Sequence, residues 1–195
     1  MIQLQNRFIA HYDLDSFYVS VERLKNPKLE KVPLIIGGTG DRGVVASCSY
    51  ETRKFGVHSA MPIKMALRLC PQAVVIRGDI EDYSRYSRLV TEVIADSVPL
   101  YEKSSIDEFY IDLTGFDKFF GCNLFSKDLK KKINRKSGLP VSFALASNKL
   151  ISKVATNEVK PAGQIEIPFG GEKLVLRRAT VLFERRGVGI RGYGA

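Results

Sequence analysis

The chain has few of the features that would give it a disulfide scaffold, a membrane span or an export signal. Cysteine occurs three times in 195 residues. Cys48, Cys70 and Cys122 are odd in number and far apart, which excludes a disulfide framework and a paired-cysteine metal site and leaves free thiols of a reducing compartment. No apolar run approaches the roughly 20 residues that cross a bilayer. The first residues lack the basic-then-apolar order of a signal sequence. The expectation is a cytoplasmic protein with no membrane partner. Acids are also in deficit: 21 Asp and Glu stand against 30 Lys and Arg, a formal charge of +9. That balance suits a polyanionic partner such as nucleic acid or nucleotide, and a merely soluble basic surface gives the same sum.

What is present is an ordinary globular composition, 45% hydrophobic and 26% charged, on a chain long enough to bury a core without staples. Strand and helix patterns alternate along it. "RFIAHYDLD" reads as a strand with Ile9, His11 and Asp13 on one face and Phe8, Ala10, Tyr12 and Leu14 on the other. The helix "SFYVSVERL" follows, with Asp15 or Ser16 in the N-cap position. Next come "VPLIIGG", the turn "GTGDRG", the strand "VVASCS", the helical "YETRKF" closed by Gly56, and "PIKMALRLC" opened by Pro62. From Asp79 an amphipathic helix carries acids in its first turn and Tyr86, Leu89, Val90, Val93 and Ile94 at helical spacing. Two strands, "LYEKSS" and "EFYIDLTG", a basic helix, "LFSKDLKKKINRKSG", the strand "PVSFALAS" and a helix, "NKLISKVATNEV", complete the series. With the small segment 16–76 set aside, the order is βαββαβ. That predicts an α+β fold, a ferredoxin-like sheet with a small subdomain inserted after its first strand.

Two acidic clusters stand out. Asp13 lies where the apolar pattern of the first strand stops, and Asp107 and Glu108 are adjacent in "SSIDEFYIDLTG". Neighbours in a regular strand point to opposite faces, so these two can serve one site only at a strand end or hairpin turn. In a ferredoxin-like sheet the first strand lies beside that hairpin, so Asp13 can face both acids across the ladder. Three carboxylates converging without a basic partner repel one another unless a cation sits between them. Oxygen ligands suit Mg²⁺, and two such ions would activate an attacking hydroxyl and stabilise a leaving pyrophosphate. The plainer alternative is a capping Asp plus turn acids, and it is preferred for Asp15 and Asp112. Tyr50 and Arg53, three apart on one helix face, offer a hydroxyl and a planar fork of donors to phosphate oxygens.

Taken in order, "YDLDSFYVSVE", "VVASCSYETRKFGVHSAMP", "SIDEFYIDLTG" and "ASNKLISKVATNEVKPAGQ" resemble the successive motifs of the Y-family, lesion-bypass DNA polymerases, most closely the bacterial DNA polymerase IV type, over about residues 7–168. The resemblance implies an error-prone, template-directed DNA polymerase using two Mg²⁺ ions, with primer-template DNA and deoxynucleoside triphosphates as partners. It makes Asp13, Asp107 and Glu108 the catalytic acids and metal ligands, with the Leu14 carbonyl as a further ligand. Tyr18 falls at the steric gate against ribonucleotides. Phe17 beside it is the competing candidate and fits a core aromatic better. Tyr50, Arg53 and Lys160 match the triphosphate-binding residues, and Ser47 lies where a small hydroxyl residue helps. Gly43, Val44, Ser47 and Ala60 correspond to positions around the nascent base pair, where small side chains leave an open site that cannot penalise misfits strongly.

The implied palm is 1–12 plus 79–168 and the fingers 13–78. After "PAGQIEIPFGGEK" relatives continue into a thumb and a DNA-gripping little finger, whereas "LVLRRATVLFERRGVGIRGYGA" has no clear match. Residues 169–195 are therefore expected to be a divergent or truncated thumb remnant, disordered near "RRGVGIRGYGA". The little finger and the C-terminal region by which full-length relatives meet a sliding clamp are expected to be absent, and the chain to be a monomer. Two other readings remain: a catalytically impaired DNA-binding fragment, and a palm-fold nucleotidyl cyclase, against which the inserted segment and "SYETRKFG" argue.

Overall fold

The computed structural model of the protein describes residues 7–38, 40, 42–116 and 121–185. Its elements run β1 (Ile9–Leu14), α1 (Phe17–Lys25), β2 (Leu34–Gly37), β3 (Val45–Cys48), α2 (Tyr50–Arg53), α3 (Ile63–Leu69), β4 (Val74–Ile76) and α4 (Ile80–Ala95). They continue with β5 (Tyr101–Lys103), β6 (Glu108–Asp112), α5 (Cys122–Ser137), β7 (Val141–Ala146), α6 (Lys149–Glu158), β8 (Gln164–Glu166) and α7 (Glu172–Arg185).

The larger sheet has the order β5-β6-β1-β7-β8. Its first four strands, with α4 and α5 as crossovers, have the ferredoxin-like arrangement, β1 lying antiparallel between β6 and β7. The period of two sorts β1. Ala10, Tyr12 and Leu14 enter the main core with Phe109 and Ile111 of β6 and Phe143 and Leu145 of β7, under α4 and α5. Tyr12 stacks on Phe143 with ring centroids 5.2 Å apart. Each such buried aromatic adds on the order of 2 kcal/mol. The opposite face of β7 carries the small residues Ala144 and Ala146, against which Ile151 and Ala155 of α6 pack. That face also holds His11 and Asp13, so β1 is buried on both sides and two of its six buried residues are polar or charged.

The inserted segment forms a second sheet, β3-β2-β4. β2 joins the two bodies by alternation. Ile35 faces a small core with Val45, Val57, Met61 and Ile63, while Leu34 and Ile36 enter the main core beside Phe17 and Val21 of α1. β4 and β8 are strands that the sequence pattern does not reveal, for each is three residues long and pairs in parallel through a crossover.

The helices follow their local chemistry. Asp79 caps α4, accepting from the Glu81 N–H at 2.9 Å, and α5 ends at Gly138 with φ 74°. The buried face of α4 includes Tyr83 and Ser87, whereas Tyr86 is only half-buried. Of the expected tail, residues 172–185 form α7, whose Val175 packs into the cluster between α6 and β7. The Arg/Gly-rich stretch from residue 186 lies outside the described residues. All three cysteines are buried and none is in a disulfide. Among the described residues, no helix is long and apolar enough to cross a membrane.

Candidate active site

The register of β1 gathers the acids. Asp13 lies opposite Glu108 of β6 and Ser142 of β7. Glu108 opens β6, and Asp107 is the last residue of the turn before it. The Leu14 N–H donates to the Asp107 carbonyl at 3.0 Å, tying that turn to the end of β1. Ser105 shapes the turn: its Oγ lies 2.6 Å from Asp107 Oδ1 and accepts from the Glu108 N–H at 3.1 Å. The two adjacent acids thus leave a strand end, where the opposite-face rule of a continuous strand does not hold.

Asp13 is 5% exposed. Burial pushes its carboxyl up to about 6, the Lys160 ammonium opposes this, and the Asp107 and Glu108 charges add to it. The expectation of acids without a basic partner is corrected here. Lys160 Nζ lies 2.6 Å from Asp13 Oδ2, and Lys153 Nζ lies 2.7 Å from Glu108 Oε2. Both lysines reach the acids because α6 packs across the polar face of β1 and the chain leaving it passes Asp13. The hydrogen bond to Glu108 raises the Lys153 pKa.

His11, two residues before Asp13 on the same face of β1, is fully buried. Its Nδ1 lies 3.0 Å from Thr156 Oγ1, and its Nε2 lies 3.9 Å from Glu108 Oε1 with no hydrogen-bond partner. Burial lowers its pKa to about 4, against the pull of Glu108. At neutral pH the imidazole is uncharged, so the contact with Glu108 is not an ion pair. Ligand atoms of His11, Asp13 and Glu108 all lie within 4.8 Å of one another, a group that Asp107 does not join.

Asp15 is not a helix cap. The N-cap of α1 is Ser16, in the left-handed region at φ 43°, and it makes no side-chain capping bond. The Asp15 carboxylate, 1% exposed, instead accepts from Ser142 Oγ at 2.9 Å, the Ala162 N–H at 2.8 Å and the Tyr50 hydroxyl at 3.4 Å. It therefore pins together β1, β7, α2 and the segment after Lys160. That segment is closely fitted: a Cβ on Gly163 would lie 1.8 Å from the Val159 carbonyl oxygen. Asp112 keeps a turn role, accepting from the Thr114 N–H at 3.0 Å and pairing with Arg7.

Phe17 is a core residue, 3% exposed, whereas Tyr18 is half-buried and stacks on Tyr83 with centroids 4.2 Å apart. Burial and then the Asp107 charge raise the Tyr18 pKa. Tyr50 is pushed up to about 12 by burial and by Asp15. The Arg53 guanidinium lies over the Tyr50 ring at 5.0 Å, and its Nε donates to the Cys48 carbonyl at 3.2 Å. The fold thus brings Asp13, Leu14, Asp107, Glu108, Tyr18, Tyr50 and Lys160 to one end of β1. Ser47 lies on β3 and Arg53 on α2, and among the described residues neither shows a hydrogen bond to the acids. Sequence reasoning missed Lys153, Asp15 as a linking residue, and His11, although the placement of His11 on the face of Asp13 was a usable signal.

The family model described as impB/mucB/samB matches residues 12–157. The chain belongs to the impB/mucB/samB family. The Y-family resemblance of the four motifs thereby stands. The chain is 43% identical over 180 residues to the DNA polymerase IV of Treponema denticola, covering 92% of this chain and 45% of that protein. It is 41% identical over 172 residues to the DNA polymerase IV of a Dehalococcoides mccartyi strain, covering 87% and 44%. Among solved structures, the insertion ternary complex of Dbh DNA polymerase matches with a TM-score of 0.79 at 28% identity, over 84% of this chain and 49% of that one. DinB from Sulfolobus solfataricus matches at 0.78 and 29% identity, over 82% and 48%. The chain therefore spans about half the length of the family members it matches.

Proposed function

We propose that the chain is the nucleotide-adding part of a template-directed DNA polymerase of the translesion type, acting on primer-template DNA and deoxynucleoside triphosphates. The observation that carries this is the meeting of Asp13, Asp107 and Glu108 at one end of β1, with Tyr18, Tyr50 and Lys160 around them, in a chain similar to proteins named DNA polymerase IV. On this reading 1–12 and 79–168 are the palm and 13–78 the fingers, and the chain works as a monomer.

The donor set fits Mg²⁺, since the acids and the Leu14 carbonyl offer oxygen only. Two Mg²⁺ ions held by Asp13, Asp107, Glu108 and the Leu14 carbonyl would activate the attacking hydroxyl and stabilise the leaving pyrophosphate. The chain's own groups do the rest. Tyr50, Arg53 and Lys160 donate to triphosphate oxygens, Arg53 through a fork already held in place by the Cys48 carbonyl. Tyr18, braced by Tyr83, walls the space under the sugar and excludes a 2′-hydroxyl. Lys153 and Lys160 limit repulsion among the acids before substrate arrives.

Single-turnover primer extension with enzyme in excess, at low salt, tests the reading. Addition of the templated nucleotide is expected. Metal-dependent cyclisation of a nucleotide without template would instead favour the cyclase, and neither reaction would favour a binding fragment.

A further inference from the structure

The acids account for Asp13 and Glu108, but they leave a buried imidazole unexplained. The His11 side chain is 0% exposed, and its Nε2 is among the few buried polar atoms of the described residues with no partner. The Thr156 hydroxyl has carbonyl acceptors in Ser152 at 2.8 Å and His11 itself at 3.2 Å, so it has a lone pair to offer the His11 Nδ1–H at 3.0 Å. In that tautomer Nε2 presents its lone pair to the acids, 3.9 Å from Glu108 Oε1. Each lysine engages the Oδ2 or Oε2 atom of its acid, and Oε1 is the glutamate oxygen that faces the ring. An imidazole whose Nδ1–H is fixed by an outer partner, and whose other nitrogen faces carboxylate oxygens, has the arrangement of a metal-ligating histidine.

We propose that His11 Nε2, together with one carboxylate oxygen each of Asp13 and Glu108, binds a first-row transition-metal ion of the Zn²⁺ class, with Thr156 as the outer partner that orients the ring. The three ligand atoms lie within 4.8 Å of one another, and bonds of about 2 Å would draw them in by on the order of an ångström. A nitrogen donor favours Zn²⁺ or Co²⁺ over Mg²⁺, which prefers oxygen and keeps its waters. The site differs from the oxygen-only set by including His11 and omitting Asp107. It shares Asp13 and Glu108 with that set, so an ion bound here competes with nucleotide addition. The proposal goes beyond the polymerase reading and is tested by binding alone, so either can fail without the other.

The test is Zn²⁺ titration of the metal-free 195-residue protein, read by ¹⁵N NMR of the histidine rings and by competition with a chromophoric chelator. The chain has two histidines, and exposed His58 is the internal control. Expected are a shift of the His11 Nε2 signal saturating at one equivalent, loss of that shift in Asp13→Asn, and a fall in Zn²⁺ affinity of about tenfold or more in His11→Gln with Mg²⁺ affinity unchanged. Movement of the His58 signals only, or Zn²⁺ affinity equal in His11→Gln and the parent, would overturn the site. Should His11→Gln fail to fold, the ring signals of the parent chain decide the question unaided.

Discussion

Replacing Asp15 by alanine should unfold this protein more readily than any change to the acid two residues before it. Asp15 is 1% exposed and holds two well-formed hydrogen bonds, from Ser142 Oγ at 2.9 Å and the Ala162 N–H at 2.8 Å, and a longer one from Tyr50 at 3.4 Å. Hydrogen bonds to a charged group contribute about 1.5–3 kcal/mol each, and a buried donor left without a partner costs a similar amount. Ser142 is fully buried, so its hydroxyl proton would be stranded, whereas the more exposed Ala162 can recruit water. The expected loss is about 3 kcal/mol, or roughly 6–12 °C in Tm for a chain of this size. Asp15→Asn, which keeps an acceptor but turns an amide donor toward other donors, should lose about half as much. Urea denaturation followed by circular dichroism measures both. A parent-like midpoint for Asp15→Ala, within about 0.5 kcal/mol, would refute the linking role, because surface carboxylates typically give changes of that size.

Asp13 should behave in the opposite way. Its folded-state pKa of about 6 lies above the ordinary carboxylate value, so the folded state holds that proton more tightly and the group favours folding at low pH. The advantage is lost as pH rises through about 6. Without metal, the stability of Asp13→Asn relative to the parent should therefore grow between pH 4 and pH 7 by on the order of 3 kcal/mol, and a flat difference would remove the burial argument. At the aromatic pair, Tyr18→Ala should raise ribonucleotide addition relative to deoxyribonucleotide with little loss of stability. Phe17→Ala should cost about 3–5 kcal/mol in a denaturation curve, and a sugar-selectivity change confined to Phe17→Ala would reverse the assignment.

How much of this was legible in the sequence depends on whether the signal was local. The period of two in "RFIAHYDLD" and the acids-first, apolar-stripe pattern after Asp79 mark β1 and α4 because each pattern is complete within a few turns. The hairpin argument for Asp107 and Glu108 also needs only the parity of a strand. β4 and β8 were not legible, since three residues carry no period and their parallel partners lie far away in the chain. Asp15 reads as a cap because Ser16 and the helix are next to it, and nothing local announces Ser142 or Ala162. Nothing local to Lys153 announces a partner, and only the packing of α6 across β1 turns it onto Glu108. The motif resemblance supplied what local rules could not, but it assigned Lys160 to phosphates. The fold adds that, before any substrate arrives, the Lys160 ammonium rests on Asp13.

The measurement that bears most directly on the polymerase reading is the single-turnover rate of templated nucleotide addition by Asp13→Asn, in Mg²⁺ and at low salt, beside the parent chain. Removing the charge from the most buried of the three acids should lower the rate by about 10³ or more, equivalent to roughly 4 kcal/mol of transition-state stabilisation, while the denaturation midpoint at pH 7 stays at or above that of the parent. A folded Asp13→Asn protein that adds nucleotides within a few-fold of the parent rate would contradict the assignment of this cluster as the catalytic centre.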